Sequence, residues 1–412
     1  MSNLQLSGVS KIYPSGVLAI YKVSLQLSDG EFIAIVGGEK CGKSTLLRMI
    51  AGLEEVTEGQ ISVGDKDVTA LPSAERDLAM IFQGNTLYPS LNVYDNMAYG
   101  LRVRKASSTL IEQRVKAAAE ILGLSDLLYR KPKTLTAEQK QKAAFGRAIA
   151  REPKLYLLDD PLSGIDAKAR ENLRSALINL QVRMNGTFIY ATKNVNDALT
   201  MATRIIVLRD GFLQQIDTPA NLYEYPANAY VAFTVGSPTV NFLNNSKIIK
   251  EGGEVSAVAD GVKFPLPQNI VSRFERLEEY ANTDKKVILG VRPEDITLCG
   301  DGGIASTVAA AETVCGVPYA ECDFGKLSVT VRAQSGSGED VSVSKGDRVM
   351  LCPDLTHAFI FDADTRLTLL NRDEGYIKTE YPDADFVPLA YAEEEQLKKK
   401  FSLSQVAQKK KK

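Results

Sequence analysis

Histidine and tryptophan are almost absent from this sequence of 412 residues, which has no tryptophan and a single histidine, His357. A serine–histidine–aspartate triad or a histidine-based metal cluster is therefore excluded from the N-terminal half. The net charge is −2 at pH 7. No overall positive field would attract nucleic acid, and we expect no nucleic-acid partner.

Long apolar runs are also missing from the sequence. The N-terminal segment MSNLQLSGVSKIY lacks the apolar core of a signal peptide. No stretch approaches the ~20 apolar residues that are needed to cross a bilayer. Any role at a membrane must therefore come through a partner.

Cysteine is scarce, and the five cysteines contain no C-x-x-C pair. We therefore expect five free thiols in a reducing cytoplasm. They are Cys41, Cys299, Cys315, Cys322 and Cys352.

A glycine-rich stretch from Gly37 to Thr45, here called the phosphate loop, contains G-x-x-x-x-G-K-S in full. An apolar run of strand length precedes it, and a helical pattern closed by Gly52 follows it. This strand–loop–helix context is the one in which backbone N–H groups at a helix N-terminus bind phosphate. Lys43 would reach the β- and γ-phosphates of a nucleotide, and Ser44 would ligate Mg²⁺. The alternative is a glycine turn without a ligand.

Two further apolar segments end in polar residues, as strands of a parallel sheet do at a ligand site. Residues 78–82 end at Gln83, and residues 155–158 end at Asp159 and Asp160. A strand that ends in aspartate beside a phosphate loop predicts a Mg²⁺ ligand. The intervening residues 86–150 are predicted to be mostly helical, with an apolar stripe at Ile111, Val115, Ala118 and Leu122.

Residues 3–29 are predicted to form short antiparallel strands. Tyr13 lies here, before a turn. Its position is compatible with stacking on an adenine ring and, equally, with a half-buried strand tyrosine.

The length corresponds to two or three domains. We predict an α/β P-loop ATPase domain over 1–235, whose helical subdomain covers about 86–153. A linker begins near Thr218 and leads to an all-β domain over 236–370, a small barrel of short strands. Residues 371–412 are predicted to be a largely disordered tail with one short exposed helix, supported by Glu394–Lys398 and Glu395–Lys399 pairs.

At this point the sequence resembles the ATPase subunits of ATP-binding-cassette (ABC) importers of the maltose and glycerol-phosphate type, over residues 3–370. Besides the phosphate loop, the resemblance is carried by Phe82-Gln83 followed by LYPSLNVYDNMAYGL, and by GRAIAREP, LLDDPLSGID, SPTVNFL and LGVRPEDI. It implies that the C-terminal barrel is an oligonucleotide-fold-like regulatory domain and is not a nucleic-acid site.

The resemblance also implies a set of partners and cofactors. Two such subunits, identical or different, hold two ATP molecules and Mg²⁺ between them beneath two membrane-spanning permeases, with an extracytoplasmic solute-binding protein acting indirectly. The chain would lie at the cytoplasmic face of the membrane as a peripheral protein. Permease loops would dock on the helical segment.

The resemblance implies a role for each residue that matches a position of the family's motifs. Nucleotide binding is assigned to Tyr13, Gly37, Gly38, Glu39, Lys40, Cys41, Gly42, Lys43, Ser44, Thr45, Thr136, Ala137, Glu138, Gln139 and Asp166. Mg²⁺ is assigned to Ser44, Gln83 and Asp159, and chemistry to Asp160, Gln83 and Lys193. Asp166 belongs to the loop at the subunit interface.

The sequence departs from the family's pattern at its chemical positions. At the position of the family's catalytic glutamate this sequence has Asp160, whose side chain is one methylene shorter. A misplacement of ~1 Å can cost about 10²-fold in rate. At the position of the family's switch histidine this sequence has Lys193. The signature segment LSGGQ reads LTAEQ over Leu135–Gln139, where Glu138 brings a carboxylate toward the partner's nucleotide. Glu39 adds a second carboxylate in the phosphate loop itself, and we expect the neighbouring Lys40 to offset its charge.

We therefore predict an ATP-hydrolysing subunit that powers import of a carbohydrate or related small solute, with slow hydrolysis. One alternative is a pseudo-ATPase that pairs with an active paralogue. Another is an ABC protein outside transport, against which the C-terminal barrel and the docking segment count.

Overall fold

The computed structural model of the protein describes residues 4–82, 84, 87–300, 302–314, 316–336, 338–376 and 386–399. Gln83, Cys315 and Lys409–Lys412 lie outside these residues. The chain forms two compact units. Most of the first unit is the stretch up to Pro219, and most of the second begins at Ala220; the segments after Lys378 are divided between the two. Within the described ranges, no helix has the length and apolarity that a membrane crossing requires.

The first unit contains two sheets. A six-stranded sheet has the order β10-β9-β3-β8-β7-β6, and a four-stranded sheet has the order β2-β1-β4-β5. The strands are β1 (Leu4–Ile12), β2 (Leu18–Leu27), β3 (Phe32–Val36), β4 (Glu58–Val63), β5 (Lys66–Asp67), β6 (Leu78–Ile81), β7 (Leu155–Asp159), β8 (Thr187–Ala191), β9 (Arg204–Arg209) and β10 (Phe212–Asp217). The helices are α1 (Lys43–Ala51), α2 (Val93–Val103), α3 (Ser108–Leu122), α4 (Ala137–Ile149), α5 (Ala167–Met184) and α6 (Val195–Met201).

Strands β3, β7 and β8 are buried along their whole length, which explains why their sequences are mostly apolar. They pair in parallel, with β8 between β3 and β7. Their carboxyl ends therefore meet at one edge of the sheet. The phosphate loop follows β3 at this edge, and Asp160 follows β7.

The predicted helices of the first unit are confirmed. The four residues of the α3 stripe are buried, and the helix ends at Gly123 in the left-handed conformation. Gly52 ends α1 in the same way. The antiparallel sheet near the N-terminus is also confirmed, because β1 pairs with both β2 and β4.

The second unit is dominated by two five-stranded antiparallel sheets, in the orders β13-β12-β11-β14-β20 and β15-β19-β16-β17-β18. Its strands are β11 (Asn241–Glu251), β12 (Glu254–Ala259), β13 (Val262–Pro265), β14 (Val287–Val291), β15 (Ile296–Cys299), β16 (Ile304–Val314), β17 (Val317–Phe324), β18 (Leu327–Arg332), β19 (Arg348–Pro353) and β20 (Phe359–Asp362). The short helices are α7 (Pro219–Glu224), α8 (Ala229–Val235), α9 (Gln268–Arg273) and α10 (Leu277–Tyr280). The sheets share one apolar core, which includes Ile248, Val287 and Val331.

The prediction of five free thiols is wrong. Cys299 on β15 and Cys352 on β19 form a disulfide, with their Cα atoms 6.0 Å apart. The two strands pair antiparallel, with Thr297 opposite Cys352 and Cys299 opposite Met350, so the cysteines are diagonal neighbours. Cys41 and Cys322 are buried free thiols.

The segments predicted to be a linker and a tail contain ordered structure. Helices α7 and α8 occupy the proline-rich linker. Residues 391–399 are helical, as predicted, but Glu394 is buried rather than exposed. Lys398 Nζ lies 2.8 Å from Asp210 Oδ2.

Candidate nucleotide site

The phosphate loop has a shape that only glycine permits at two positions. Gly37 has a φ of 148°, and a Cβ there would lie 2.0 Å from the carbonyl oxygen of Leu208 on β9. Gly42 has a φ of 107°, and a Cβ there would lie 2.6 Å from the carbonyl oxygen of Ala19. Backbone therefore packs directly on backbone, and the loop is fixed before any ligand arrives.

Lys43 begins α1, and its side chain is buried beneath the loop. Its Nζ donates hydrogen bonds to the carbonyl oxygens of Gly37 (2.8 Å) and Gly38 (2.7 Å). The Cys41 thiol is also buried next to this ammonium, and burial raises its pKa. Cys41 is therefore a packed residue of the loop, and Lys43 supplies a positive charge at its centre.

Ser44 and Asp159 meet although they come from different elements. Ser44 Oγ donates a 2.7 Å hydrogen bond to Asp159 Oδ1. Ser44 lies in the first turn of α1, and Asp159 is the last residue of β7. A hydroxyl and a carboxylate side by side, next to a phosphate loop, are the protein ligands that Mg²⁺ takes when nucleotide oxygens supply others.

The donor set also fits a metal that arrives with a nucleotide. The described residues contain no group of three or more His, Cys, Asp or Glu side chains that could hold an ion. Mg²⁺ at Ser44 and Asp159 would therefore depend on phosphate oxygens and water, which is its usual coordination. The third predicted ligand, Gln83, lies outside the described residues.

Asp160 follows β7 in a left-handed conformation with a φ of 46°. Its N–H donates to the carbonyl oxygen of Ala191 at 2.8 Å, which ties it to the end of β8. Burial raises the pKa of its carboxyl group, the charge of Lys193 opposes that rise, and Asp159 adds to it. The carboxylate at this position is thus more readily protonated than that of an ordinary aspartate.

Lys193 pairs with Glu39 of the phosphate loop. The distance from Lys193 Nζ to Glu39 Oε1 is 2.6 Å. Hydrogen bonding and charge attraction lower the pKa of Glu39 and raise that of Lys193. The expected partner of Glu39 was Lys40. Lys40 does contribute, but its effect on the Glu39 pKa is smaller than that of Lys193.

The signature segment caps helix α4. Thr136 Oγ1 accepts from the N–H of Gln139 at 3.2 Å, and Gln139 Oε1 accepts from the N–H of Thr136 at 3.0 Å. This capping box satisfies two terminal backbone groups. The carboxylate of Glu138 lies 2.8 Å from Lys142 Nζ, one turn along the helix. In a dimer, this ion pair would reduce the predicted repulsion between Glu138 and the partner's nucleotide.

Two further predicted residues, Tyr13 and Asp166, have structural partners of their own. Tyr13 is half-buried; its hydroxyl donates to Glu54 Oε2 at 3.3 Å, and Lys11 Nζ lies 5.1 Å from its ring centre. Asp166 caps α5 by accepting from the N–H of Ala169 at 3.0 Å. Stacking of Tyr13 on adenine and a role of Asp166 at a subunit interface remain predictions.

Sequence reasoning missed the contribution of Lys142. Its signal was present, because Glu138 and Lys142 have the i, i+4 spacing that places side chains together on a helix. The pairing of Glu39 with Lys193 had no such signal, since 154 positions separate them.

Comparison with known proteins identifies the family. The ABC transporter family profile matches residues 20–163, and that of the MalK OB fold domain matches residues 236–296. The sn-glycerol-3-phosphate import ATP-binding protein UgpC of Bordetella pertussis is 40% identical over 366 residues, which cover 89% of this chain and 98% of that protein. The chain belongs to the ATP-binding proteins of ABC transporters.

Other relatives of this ABC protein agree. The putative uncharacterized ABC transporter ATP-binding protein YcjV of Escherichia coli K12 is 37% identical over 371 residues, covering 90% of this chain and all of that protein. The solved structure of cbiO1 from Clostridium perfringens, described as part of the ABC transporter complex cbiONQ, superposes with a TM-score of 0.51 at 24% identity. It covers 54% of this chain and 90% of that one, and it supports the fold alone. The predicted fold class, a P-loop ATPase domain followed by an OB-fold domain, is confirmed.

Proposed function

We propose that this ABC protein binds Mg·ATP at the phosphate loop and hydrolyses it, slowly, to drive solute import through partner permeases. The observation that carries the proposal is the hydrogen bond of Ser44 to Asp159. It brings together a hydroxyl and a carboxylate, the two side chains that we propose as Mg²⁺ ligands, at the edge of the sheet where the phosphate loop begins.

The roles of the side chains follow from their positions. Lys43 would bind the β- and γ-phosphates, and Ser44 and Asp159 would hold Mg²⁺, which neutralises phosphate charge when it is bound. Asp160, at the end of β7, would accept the proton of the attacking water. A base must reach its water within hydrogen-bond distance, and the short aspartate side chain supports slow chemistry.

Membership of the family supports an inference about the partners and the class of solute. We infer a dimer of ATP-binding subunits, identical or different, beneath two permeases, with a solute-binding protein outside the membrane. The name of the Bordetella relative and the OB-fold match support a carbohydrate or a glycerol-phosphate-like solute. The family relationship also supports a peripheral position at the cytoplasmic face of the membrane.

The test is nucleotide binding and turnover by the purified full-length chain, for the wild type and Lys43→Ala. Wild type should gain thermal stability with Mg·ATP and release phosphate, whereas Lys43→Ala should do neither. Lys250→Ala removes an exposed lysine from β11 and serves as the control. Equal, small shifts for wild type and Lys43→Ala would refute the site. Binding without any turnover would leave the pseudo-ATPase alternative.

Attachment to a membrane provides a second test. The chain should remain on membranes that contain its permeases and should wash off permease-free membranes in moderate salt. Retention on permease-free membranes after the salt wash, with Lys409–Lys412 removed, would contradict a permease-held subunit.

A further inference from the structure

Lys193 lies between two carboxylates because of the order of the strands. It is the second residue after β8, and β8 lies between β3 and β7. Glu39, in the loop after β3, is on one side of it, and Asp160, after β7, is on the other. The sheet thus places one lysine between an acidic residue of the phosphate loop and the proposed base.

Lys193 bonds Glu39 directly and acts on Asp160 through its charge. Its Nζ is 2.6 Å from Glu39 Oε1, and its charge lowers the pKa of Asp160. The low pKa of Glu39 and the high pKa of Lys193 keep both groups charged at neutral pH. Lys40 and Lys43 also favour the charged form of Glu39, and Asp160 favours that of Lys193.

An acidic residue in a phosphate-binding loop opposes its ligand unless a cation neutralises it. Lys193 performs that neutralisation here. Under the proposed function, the terminal phosphate of a nucleotide at the phosphate loop would lie within reach of the same ammonium. A single point charge on a flexible stem would then have to be divided between the two anions.

We propose that Glu39 is a specificity-determining residue that competes with the γ-phosphate of ATP for the ammonium of Lys193. The ion pair persists without nucleotide and with ADP, and only a triphosphate breaks it. The inference rests on the proposed function, because it requires ATP at the phosphate loop. Its consequence is that Glu39 weakens the preference for ATP over ADP, and does so through Lys193.

The experiment is a double-mutant cycle of Glu39→Gln and Lys193→Gln in the full-length chain. Binding of Mg·ADP and of the Mg²⁺ complex of the non-hydrolysable β,γ-imido analogue of ATP is measured by calorimetry for the four proteins. The quantity compared is the triphosphate-to-diphosphate preference. Glu278→Gln is the matched control, since Glu278 also lies 2.6 Å from a lysine, Lys250, and is similarly exposed.

Glu39→Gln should raise the triphosphate preference in both backgrounds, because it removes a negative charge. The rise should be about two- to five-fold larger when Lys193 is present, as expected for release of an exposed ion pair. The inference would be overturned if the rise with Lys193 present were equal to or smaller than the rise in the Lys193→Gln background. Simple repulsion between Glu39 and the γ-phosphate would then explain the effect of Glu39→Gln. Failure of the wild type to bind either nucleotide would instead refute the proposed function. Glu278→Gln should leave both affinities unchanged.

Discussion

Ser44 and Asp159 are 115 positions apart in the chain, and the hydroxyl of the first donates a 2.7 Å hydrogen bond to the carboxylate of the second. The bond joins the first turn of α1 to the last residue of β7. It holds the two proposed Mg²⁺ ligands side by side in the protein itself, so little rearrangement is needed to receive the ion.

Replacing Asp159 with asparagine should abolish the Mg²⁺-dependent part of ATP binding. The amide oxygen can still accept from Ser44, so the fold should persist, but the negative charge that attracts the cation is lost. We expect at least a ~10-fold weaker Mg·ATP complex, with metal-free ATP binding unimpaired. Titration of the variant and the wild type with ATP, in the presence and in the absence of Mg²⁺, measures both affinities.

Asp284→Asn is the control for that substitution. Asp284 is fully exposed and pairs with Lys247, far along the chain from the phosphate loop. It should leave Mg·ATP binding unchanged. Tight Mg·ATP binding by Asp159→Asn would contradict the metal assignment.

Alanine at Gly37 should prevent the phosphate loop from forming. The new Cβ would lie 2.0 Å from the Leu208 carbonyl oxygen, which belongs to a central strand and cannot yield. Gly123→Ala is the comparison, because Gly123 also has a positive φ, 64°, but an added Cβ meets nothing within 4 Å.

Gly123→Ala should cost about 1 kcal/mol, the usual cost of a left-handed alanine. Gly37→Ala should cost more, at least ~2 kcal/mol, and should also abolish nucleotide binding. Thermal unfolding and ATP titration of both variants measure this. Equal stabilities, with ATP binding retained, would mean that the loop is not fixed by contact with β9.

The pH dependence of hydrolysis should report Asp160. Burial raises its pKa, so the acidic limb of the rate profile should lie above the pH expected for an ordinary aspartate. Lys193 lowers that pKa, so Lys193→Gln should move the limb to still higher pH. Steady-state phosphate release between pH 5 and 9 measures the shift.

The paired change Asp160→Glu with Lys193→His should raise turnover at saturating ATP, because it restores the reach of the base. It also removes the ion pair of Lys193 with Glu39, so the ATP affinity is expected to change as well. A wild-type rate that already equals the rate of this variant would argue against slow hydrolysis. An acidic limb that stays in place in Lys193→Gln would mean that another group is the base.

Two aspartates of the second unit should give opposite pH effects on stability. Burial and the neighbouring Glu294 raise the pKa of Asp295 to about 6, above its value in the unfolded chain. The favourable contribution of Asp295 to the stability of the folded protein is therefore present at pH 4 and is lost as the pH rises through 6. Asp295→Asn should stabilise the protein at pH 8 relative to wild type and have little effect at pH 4.

Asp354 is the counterpart. Hydrogen bonds from the hydroxyl (2.6 Å) and N–H (2.9 Å) of Thr356 lower its pKa. The contribution of Asp354 to the stability of the folded protein is present above the pKa that this carboxyl group has in the unfolded chain, and it is lost as the pH falls. Asp354→Asn should therefore destabilise at pH 8 and less at pH 4. Thermal unfolding at both pH values tests the pair; effects of the same sign for both variants would refute it.

The first unit was predictable from sequence because its signals are local. The apolar run of β3, the glycines of the phosphate loop and the pattern of α1 occupy a single stretch, Phe32–Gly52. Aspartate at the end of β7 is equally visible. The pairing of Glu39 with Lys193 was not, because it depends on which strands become neighbours.

The second unit was harder to predict for a related reason. Strand β11 buries polar residues, Asn241 and Ser246, so its alternation of apolar and polar residues is weak. The disulfide was missed because it requires the pairing of β15 with β19, and 53 positions separate its cysteines. Spacing within the sequence reveals motifs such as C-x-x-C but not partners that the sheet brings together.

The disulfide changes how this protein responds to a protease. Cys299 and Cys352 enclose residues 300–351 in a covalent ring, so a single cut anywhere in that ring leaves the two pieces joined. Such a nicked chain migrates as one band on a denaturing gel until a thiol reductant separates the fragments. A chain cut once between Arg292 and Cys299 gains no such protection, because both of its fragments part without reduction.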